Sequence, residues 1–418
     1  MLDGQGIAVT GLGLVLPQGP GLEAARAVFD GASAVRYLPP IAGLPGATGA
    51  PARGFVAPAG TERLDRAIQF AVAAAEEAWR GSGLDRAALP PARVATILGL
   101  SKGAVLALAQ RAAGRTRDGD NVLDVTPEAA ARIVAARLGL TGPIGAALTA
   151  CASGGHALLW GATLIRRGVV DAAIVGAAEA SLHPLVLGSY RRMGILADAR
   201  GDPATSVRPF SASRRGFAIG EGAGVLVLES AASAARRAAR PVAVLRGWAS
   251  GCQASGMIEM EAGGETLAHL LRQALARAGL APEAVDFVHA HGTATVANDA
   301  AEARAIRAAL GPASSRVSVC STKGSHGHLL GAATAVELVL TVLAIQRQTV
   351  PPTANLTDPD GRVGLDCTPL VARRRPIRCA VKLAGGFGGQ MLAVVLAAGE
   401  HGTHSAVGAG THRATIES

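Results

Sequence analysis

The feature that most constrains this chain is an internal echo: one α/β phrase is stated twice, about 190 residues apart. A strand-like run from Gly6 to Pro17 passes into a Gly-rich turn, and a helix is expected later from Glu62 to Arg80, capped by Thr61. In that helix Leu64, Ile68, Val72, Ala75 and Trp79 lie on one face, Gly81 and Gly83 supply the stop, and a short strand Arg93 to Leu98 follows. The same order returns as a helix through Leu267, Leu271 and Leu275, a stop at Gly279 and a strand from Val285 to Val288. Two further pairs keep the sequence of events, Ala146–Leu159 with Val317–Leu330 and Ala172–Val175 with Cys379–Leu383. Echoes in one order predict two similar α/β halves related by a pseudo-twofold axis. The charged stretch near 235–245 divides them, so the expected units are residues 1–240 and 241–398. The tail 399–418, rich in Gly, Thr and Ser and without periodicity, is expected to be disordered.

Composition narrows the class. With 49% hydrophobic and 17% charged residues the chain cannot be a disordered polymer, and 54 Gly with 3% aromatics imply a core of closely approaching backbones. The longest apolar stretch, Leu329 to Ile345, is interrupted by Glu337 and is short for a membrane span, and the N-terminus carries Asp3 without a basic leader. Five cysteines, widely spaced and without a CxxC pair, indicate neither a disulfide framework nor a metal site, so a reducing, cytoplasmic setting is expected. The net charge of +9 is scattered, its densest run being Arg373–Arg375, which disfavours nucleic acid and suits an acidic protein partner. Only Lys102, Lys323 and Lys382 among the 40 basic residues are lysines, so each raises the question of why it is not Arg.

Three turns carry side chains suited to chemistry. Gly99-Leu100-Ser101-Lys102-Gly103 follows a strand and matches the nucleophile elbow of serine hydrolases, which would require His183 or His269 as its base. Cys151, in TACASGGHAL, lies where a strand ends and an Ala-rich helix begins, so the helix's free amides would favour its thiolate. VHAHGTATVANDAAE (288–302) and STKGSHGHLLGAATAVE (321–337) each follow a strand and place His in a Gly-containing turn, where an imidazole can meet a substrate. A thiol turn and two imidazole turns together outweigh the isolated Ser motif.

With these motifs in place the chain resembles the β-ketoacyl-acyl-carrier-protein synthases of the thiolase fold, in the elongating Cys-His-His subgroup, over residues 5 to 398. The segments that carry the resemblance, in family order, are VTGLGLVLPQG, TACASG, LIRRGVVDAAIVGAAEA, VRPFSASRRGFAIGEGAGVLVLE, HGTAT, TKGSHGHLLGAA and GGFGG. The resemblance implies a layered α-β-α-β-α arrangement of two duplicated halves. It makes Cys151 the acyl acceptor, His291 and His328 the pair that drives decarboxylation, Lys323 their electrostatic companion and Glu337 the acid beside that lysine. Phe387 becomes the gate, its backbone N–H and that of Cys151 the oxyanion donors, and Thr293 and Thr295 the hydroxyls that meet the phosphopantetheine arm. Of the two histidines in the HGH turn, His328 fits the Gly-His-x-x-Gly-Ala-Ala pattern and His326 occupies a place the family usually gives to a small or branched residue; His156 and His289 are read as structural.

The implied reaction needs no diffusible cofactor and no metal. Acyl and malonyl units arrive on an acyl carrier protein, and the enzyme is expected as a homodimer, a heterodimer being the other arrangement. Several departures stand out. Ala294 replaces the middle Gly of HGTGT; Ser211 and Arg215 replace two acids; Gln390-Met391 replaces Thr-Asn after Gly388-Gly389, and Leu383-Ala384-Gly385 replaces Asn-Ser-Phe before Gly386-Phe387. Lys102 stands where the family has a small or apolar residue at the end of the acyl pocket, and is expected to shorten that pocket or pair with a polar chain end. These departures tilt the reading from fatty acid synthesis toward a specialised polyketide or polyene pathway. The alternatives are a non-catalytic partner subunit of the chain-length-factor type, a thiolase using coenzyme A and, last, a serine hydrolase.

Overall fold

The computed structural model describes residues 6–85, 88–115, 120–199 and 201–399, so the expectation for the tail lies outside the described residues apart from Gly399. The N-terminal half supplies strands β1 (Ile7–Leu16), β2 (Val94–Leu100), β3 (Ile144–Ala147), β4 (Ala172–Glu179) and β5 (Gly222–Ser230). Its helices α1 (Arg66–Ser82), α2 (Ala129–Leu138) and α3 (Ser153–Arg166) follow the first three strands. The C-terminal half repeats this with β6 (Ala243–Cys252), β7 (Phe287–His289), β8 (Ser318–Cys320), β9 (Cys379–Gly386) and β10 (Gln390–Ala397). Helices α4 (Glu265–Ala278), α5 (Val296–Leu310) and α6 (Ala333–Arg347) take the matching places.

The strands run side by side as β8-β7-β9-β10-β6-β1-β5-β4-β2-β3. From either end inward the order is third, second, fourth, fifth, first strand of the half, so the topology itself is duplicated. Outer pairs are parallel and inner pairs antiparallel in both halves. The halves meet where β1 and β6 pair antiparallel, Ile7 opposite Leu245 and Val9 opposite Ala243.

Alternation along the strands builds the layers. Leu226 and Leu228 of β5 and Leu392, Val394 and Leu396 of β10 point to one central cluster with Leu158 of α3 and Val336 and Leu340 of α6. Val225 and Val227 face the opposite way, onto Ile68 and Phe70 of α1 and Val134 of α2, while Ala393 and Val395 face Leu271 of α4 and Ile306 of α5. The resulting order is α1/α2, sheet, α3/α6, sheet, α4/α5, the expected five layers. The segment Leu330–Arg347 is long and apolar enough to cross a membrane by composition, yet 89% of it is buried inside the protein, which makes it the central helix of the core.

Gly11 and Gly13 lie within β1, where a Cβ would stand 2.1 Å from the Ala78 carbonyl oxygen and 1.8 Å from that of Ala74, so α1 rests directly on bare backbone. One local expectation is corrected. The cap of α1 is Asp65, whose Oδ1 accepts from the Ala67 N–H at 2.9 Å, whereas the Thr61 hydroxyl donates to the Pro58 carbonyl. Gly83, at φ 65°, ends that helix and Gly81 lies inside it.

Candidate active site

Four strand ends converge. After β3 the chain makes a tight turn over Ala150–Ala152, with Ala150 at φ 48°, and enters α3; Cys151 sits in that turn, buried. The turn is held by Thr334 of α6, whose hydroxyl donates to the Cys151 carbonyl at 2.9 Å. After β7 comes the His291–Thr295 turn, and after β8 the Lys323–His328 turn. The hairpin between β9 and β10 turns through Phe387-Gly388-Gly389, both glycines lying near φ 77° (76° and 78°). Gly386 rests on the nucleophile turn, a Cβ there standing 2.9 Å from the Thr149 carbonyl oxygen and 3.3 Å from the Cys151 nitrogen. Cys151, His291, His328, Thr293, Thr295 and Phe387 line one pocket.

The imidazoles are set as neutral donors. His291 and His328 lie 5.5 Å apart between ring centroids, edge to face. The Leu330 N–H donates to His328 Nδ1 at 3.3 Å, so a neutral ring carries its proton on Nε2. Burial first, and Lys323 second, hold both rings well below the ordinary imidazole range, so neither is charged at neutral pH. His291 is fixed through its backbone: its N–H donates to Glu302 Oε1 at 2.5 Å and that of Gly292 to Oε2 at 2.7 Å. Burial pushes the Glu302 carboxyl up to about 7 against those two donors.

Behind the imidazoles lies a fully buried charge cluster. Lys323 donates to the His291 carbonyl and to Glu337 Oε1, and Lys382 Nζ stands 2.7 Å from Glu337 Oε2. Burial works against the Glu337 carboxylate, but the two lysines override it and hold it well below the usual range. Cys151 shows the reverse balance: burial, opposed by Lys102 and Lys323 and assisted by Glu179 and Glu337, pushes the thiol up to about 11. The thiol therefore rests protonated, and the positive end of α3 expected to favour the thiolate does not prevail over burial; it acts on the negative sulfur as that charge develops.

Lys102 is not free in solvent. Its ammonium donates to Ser101 Oγ at 2.7 Å, lies 3.9 Å from Glu179 and sits 5.7 Å from the centre of the Tyr190 ring, which in turn is 6.0 Å from that of Phe387. Ser101 gives its own hydrogen to Glu179, while His183 caps a short helix and His269 pairs with Gln273 on the surface. Neither histidine is bonded to Ser101, so the elbow lacks the base a serine hydrolase requires. His326 is buried among Thr322 and the Gly327 carbonyl, and His289 between Thr341 and Thr322, away from the pocket.

The departures have local answers. Ser211 donates to Asp358, and Arg214 pairs with Asp360 at 2.7 Å and donates to the carbonyls of Thr295 and Val296, so acids from a distant loop hold this segment and Arg214 braces the threonine turn. Thr293 and Thr295 share a hydrogen bond at 2.9 Å between their hydroxyls. Ala294 sits at φ 62°, left-handed and buried. Gln390 and Met391 are strand residues, opposite Cys252 and Gly251 of β6, and not part of the turn itself. Glu302, Arg214 and Thr334 carry no sequence signal of their roles; Lys382 had one, its rarity.

A duplicated five-layer fold with a thiol and two neutral imidazoles around one pocket defines a condensing acyltransferase. The chain belongs to the β-ketoacyl synthase family: residues 5–234 match its N-terminal domain and residues 242–357 its C-terminal domain. It is 35% identical over 354 residues to the tetracenomycin polyketide synthase ketoacyl synthase alpha subunit of Streptomyces glaucescens, covering 82% of this chain and 83% of that one. Among solved structures it superposes, with a TM-score of 0.85 and 31% identity, on a type II polyketide synthase ketosynthase in complex with its acyl carrier protein, covering 95% of this chain and 100% of that one. The ishigamide ketosynthase/chain length factor matches with a TM-score of 0.85 and 30% identity, over 94% of this chain and 99% of that one.

Proposed function

We propose that this protein extends a polyketide or polyene acyl chain on Cys151, using malonyl units carried by an acyl carrier protein. The observation that carries the reading is the placement of Cys151, His291, His328 and Phe387 around one pocket. In the first half-reaction Cys151 Sγ bonds to the acyl carbonyl carbon, the bond to the pantetheine sulfur breaks, and the thiol proton passes to that leaving sulfur. The N–H groups of Cys151 and Phe387 hold the oxyanion. In the second, the malonyl carboxylate leaves as CO2, and the enolate oxygen accepts from His328 Nε2–H and from His291. The enolate carbon then attacks the acyl carbonyl, a carbon–carbon bond forms, and the Cys151 sulfur departs and regains a proton.

Thr293 and Thr295, at the pocket wall, suit the polar amides of a phosphopantetheine arm, and the chemistry draws on no diffusible cofactor. The positive balance of the chain suits an acidic carrier protein. The free edge strand β3, with Ile144, Leu148 and Trp160 exposed beside it, suits a second subunit, either a copy of this chain or a chain-length-factor-type partner. Five unpaired cysteines fit a cytoplasmic enzyme. The second reading, that this chain is itself the non-catalytic partner, is disfavoured by the intact Cys151, His291 and His328. Intact-mass spectrometry with graded acyl carrier-protein thioesters, wild type beside Cys151→Ala, tests it: an adduct on wild type alone, then released as a β-ketoacyl carrier protein on adding malonyl carrier protein, is expected. Absence of any adduct on wild type sinks the catalytic reading.

A further inference from the structure

Two of the three lysines in the chain grip the same carboxylate. Lys323 and Lys382 are fully buried, one on each oxygen of Glu337. Lys382 also donates to the Ala290 carbonyl at 2.9 Å and the His289 carbonyl at 3.3 Å, while Lys323 takes the His291 carbonyl. Three consecutive carbonyls leading into the His291 turn are thus held by two ammonium groups. Everywhere else but Lys102 this chain uses Arg for its cations; a compact ammonium suits a site where three acceptors converge on one point.

We propose that Lys382 is a positioning residue of the decarboxylation step, which with Lys323 fixes the His291 turn and leaves the buried Lys323–Glu337–Lys382 trio with one net positive charge behind that imidazole. The inference rests on the ketosynthase reading. One lysine paired with Glu337 would present only a dipole to the pocket, whereas the trio presents a full charge in a medium of low polarity. Both the malonyl carboxylate on entering and the enolate on losing CO2 are anions, so the charge acts on that half-reaction. The charges that act most on the Cys151 thiol are Lys102, Lys323, Glu179 and Glu337, so acyl loading is largely independent of Lys382. The groups facing Lys382 are Glu337 of α6, Lys323 after β8, Cys320 of β8, His289 and His291 at the end of β7, and Glu302 of α5.

The first test uses the wild-type protein. With three lysines in the chain, labelling lysine with carbon-13 at Cε gives three signals, and Lys102→Arg removes the half-exposed one. Both buried signals are expected at the ammonium position at pH 7; a neutral amine at either would make the trio neutral and overturn the proposal. The second test uses Lys382→Met, in which Lys323 and Glu337 leave the cluster neutral. Release of CO2 from malonyl carrier protein is expected to fall about tenfold or more, with acyl loading within about twofold of wild type. Unchanged CO2 release in folded Lys382→Met, or an equal loss of loading and CO2 release, refutes the role. Should the variant not fold, the carbon-13 signals of the wild-type protein decide alone: two buried ammonium groups support the charge argument, and a neutral amine overturns it. Wild-type protein that releases no CO2 would instead refute the ketosynthase reading itself.

Discussion

Replacing Glu337 by Gln removes the only anion between two buried ammonium groups while keeping shape and hydrogen-bonding capacity. Breaking a buried ion pair by deleting one partner costs about 3–5 kcal/mol. A lysine can relieve that penalty by shedding its proton, so the two descriptions concern one cost and do not add. The sign with pH follows. A lysine whose pKa is lower folded than unfolded leaves the unfolded chain binding more protons, so the variant gains stability as pH rises from the folded toward the unfolded value. Burial already lowers Lys382 in the wild type, with Glu337 opposing it, and losing that carboxylate lowers it further. Urea unfolding of both proteins at one concentration, followed by tryptophan fluorescence, should therefore show a gap of about 4 kcal/mol at pH 7 that narrows by pH 10. A gap below about 1 kcal/mol at pH 7, or one that does not change with pH, would show that the lysines are not held as ammonium by this carboxylate.

Lys102→Ile exchanges an ammonium tied to Ser101 and Glu179 for an apolar side chain. Product analysis with graded acyl starters should show a shift toward longer, more saturated chains; an unchanged length profile would exclude Lys102 from the pocket. Because Lys102 is the largest charge opposing burial at Cys151, the same variant should also react more slowly with iodoacetamide at a fixed pH. Ala294→Gly relieves a left-handed alanine between the two threonines, and thermal unfolding should show a gain of about 1 kcal/mol.

How much of this was legible in the sequence depended on periodicity and on rarity. The echo of helix, stop and strand predicted a duplicated sheet because apolar spacing is a local property, and the matching strand orders of the two halves follow it. The turns with Cys151, His291 and His328 were legible because a strand, a reactive side chain and a small residue stand together in the chain. Glu302 and Thr334 were not, since each lies inside a regular helical pattern and acts on a backbone group that sequence does not display. Asp65 was overlooked for the same reason in miniature: Thr61 and Asp65 are equally good caps by type, and only the course of the chain chooses between them. The helix amides beside Cys151 are local and visible in the sequence, whereas the burial that raises its thiol is a property of the whole fold.

The antiparallel seam between β1 and β6 has a further consequence for heredity. It makes the two halves one continuous sheet, with the thiol in a turn of one half and the imidazoles in turns of the other. The pocket they line draws on both halves. Such a chain can no longer drift as two redundant units: a change in either half is felt at a centre for which there is no spare.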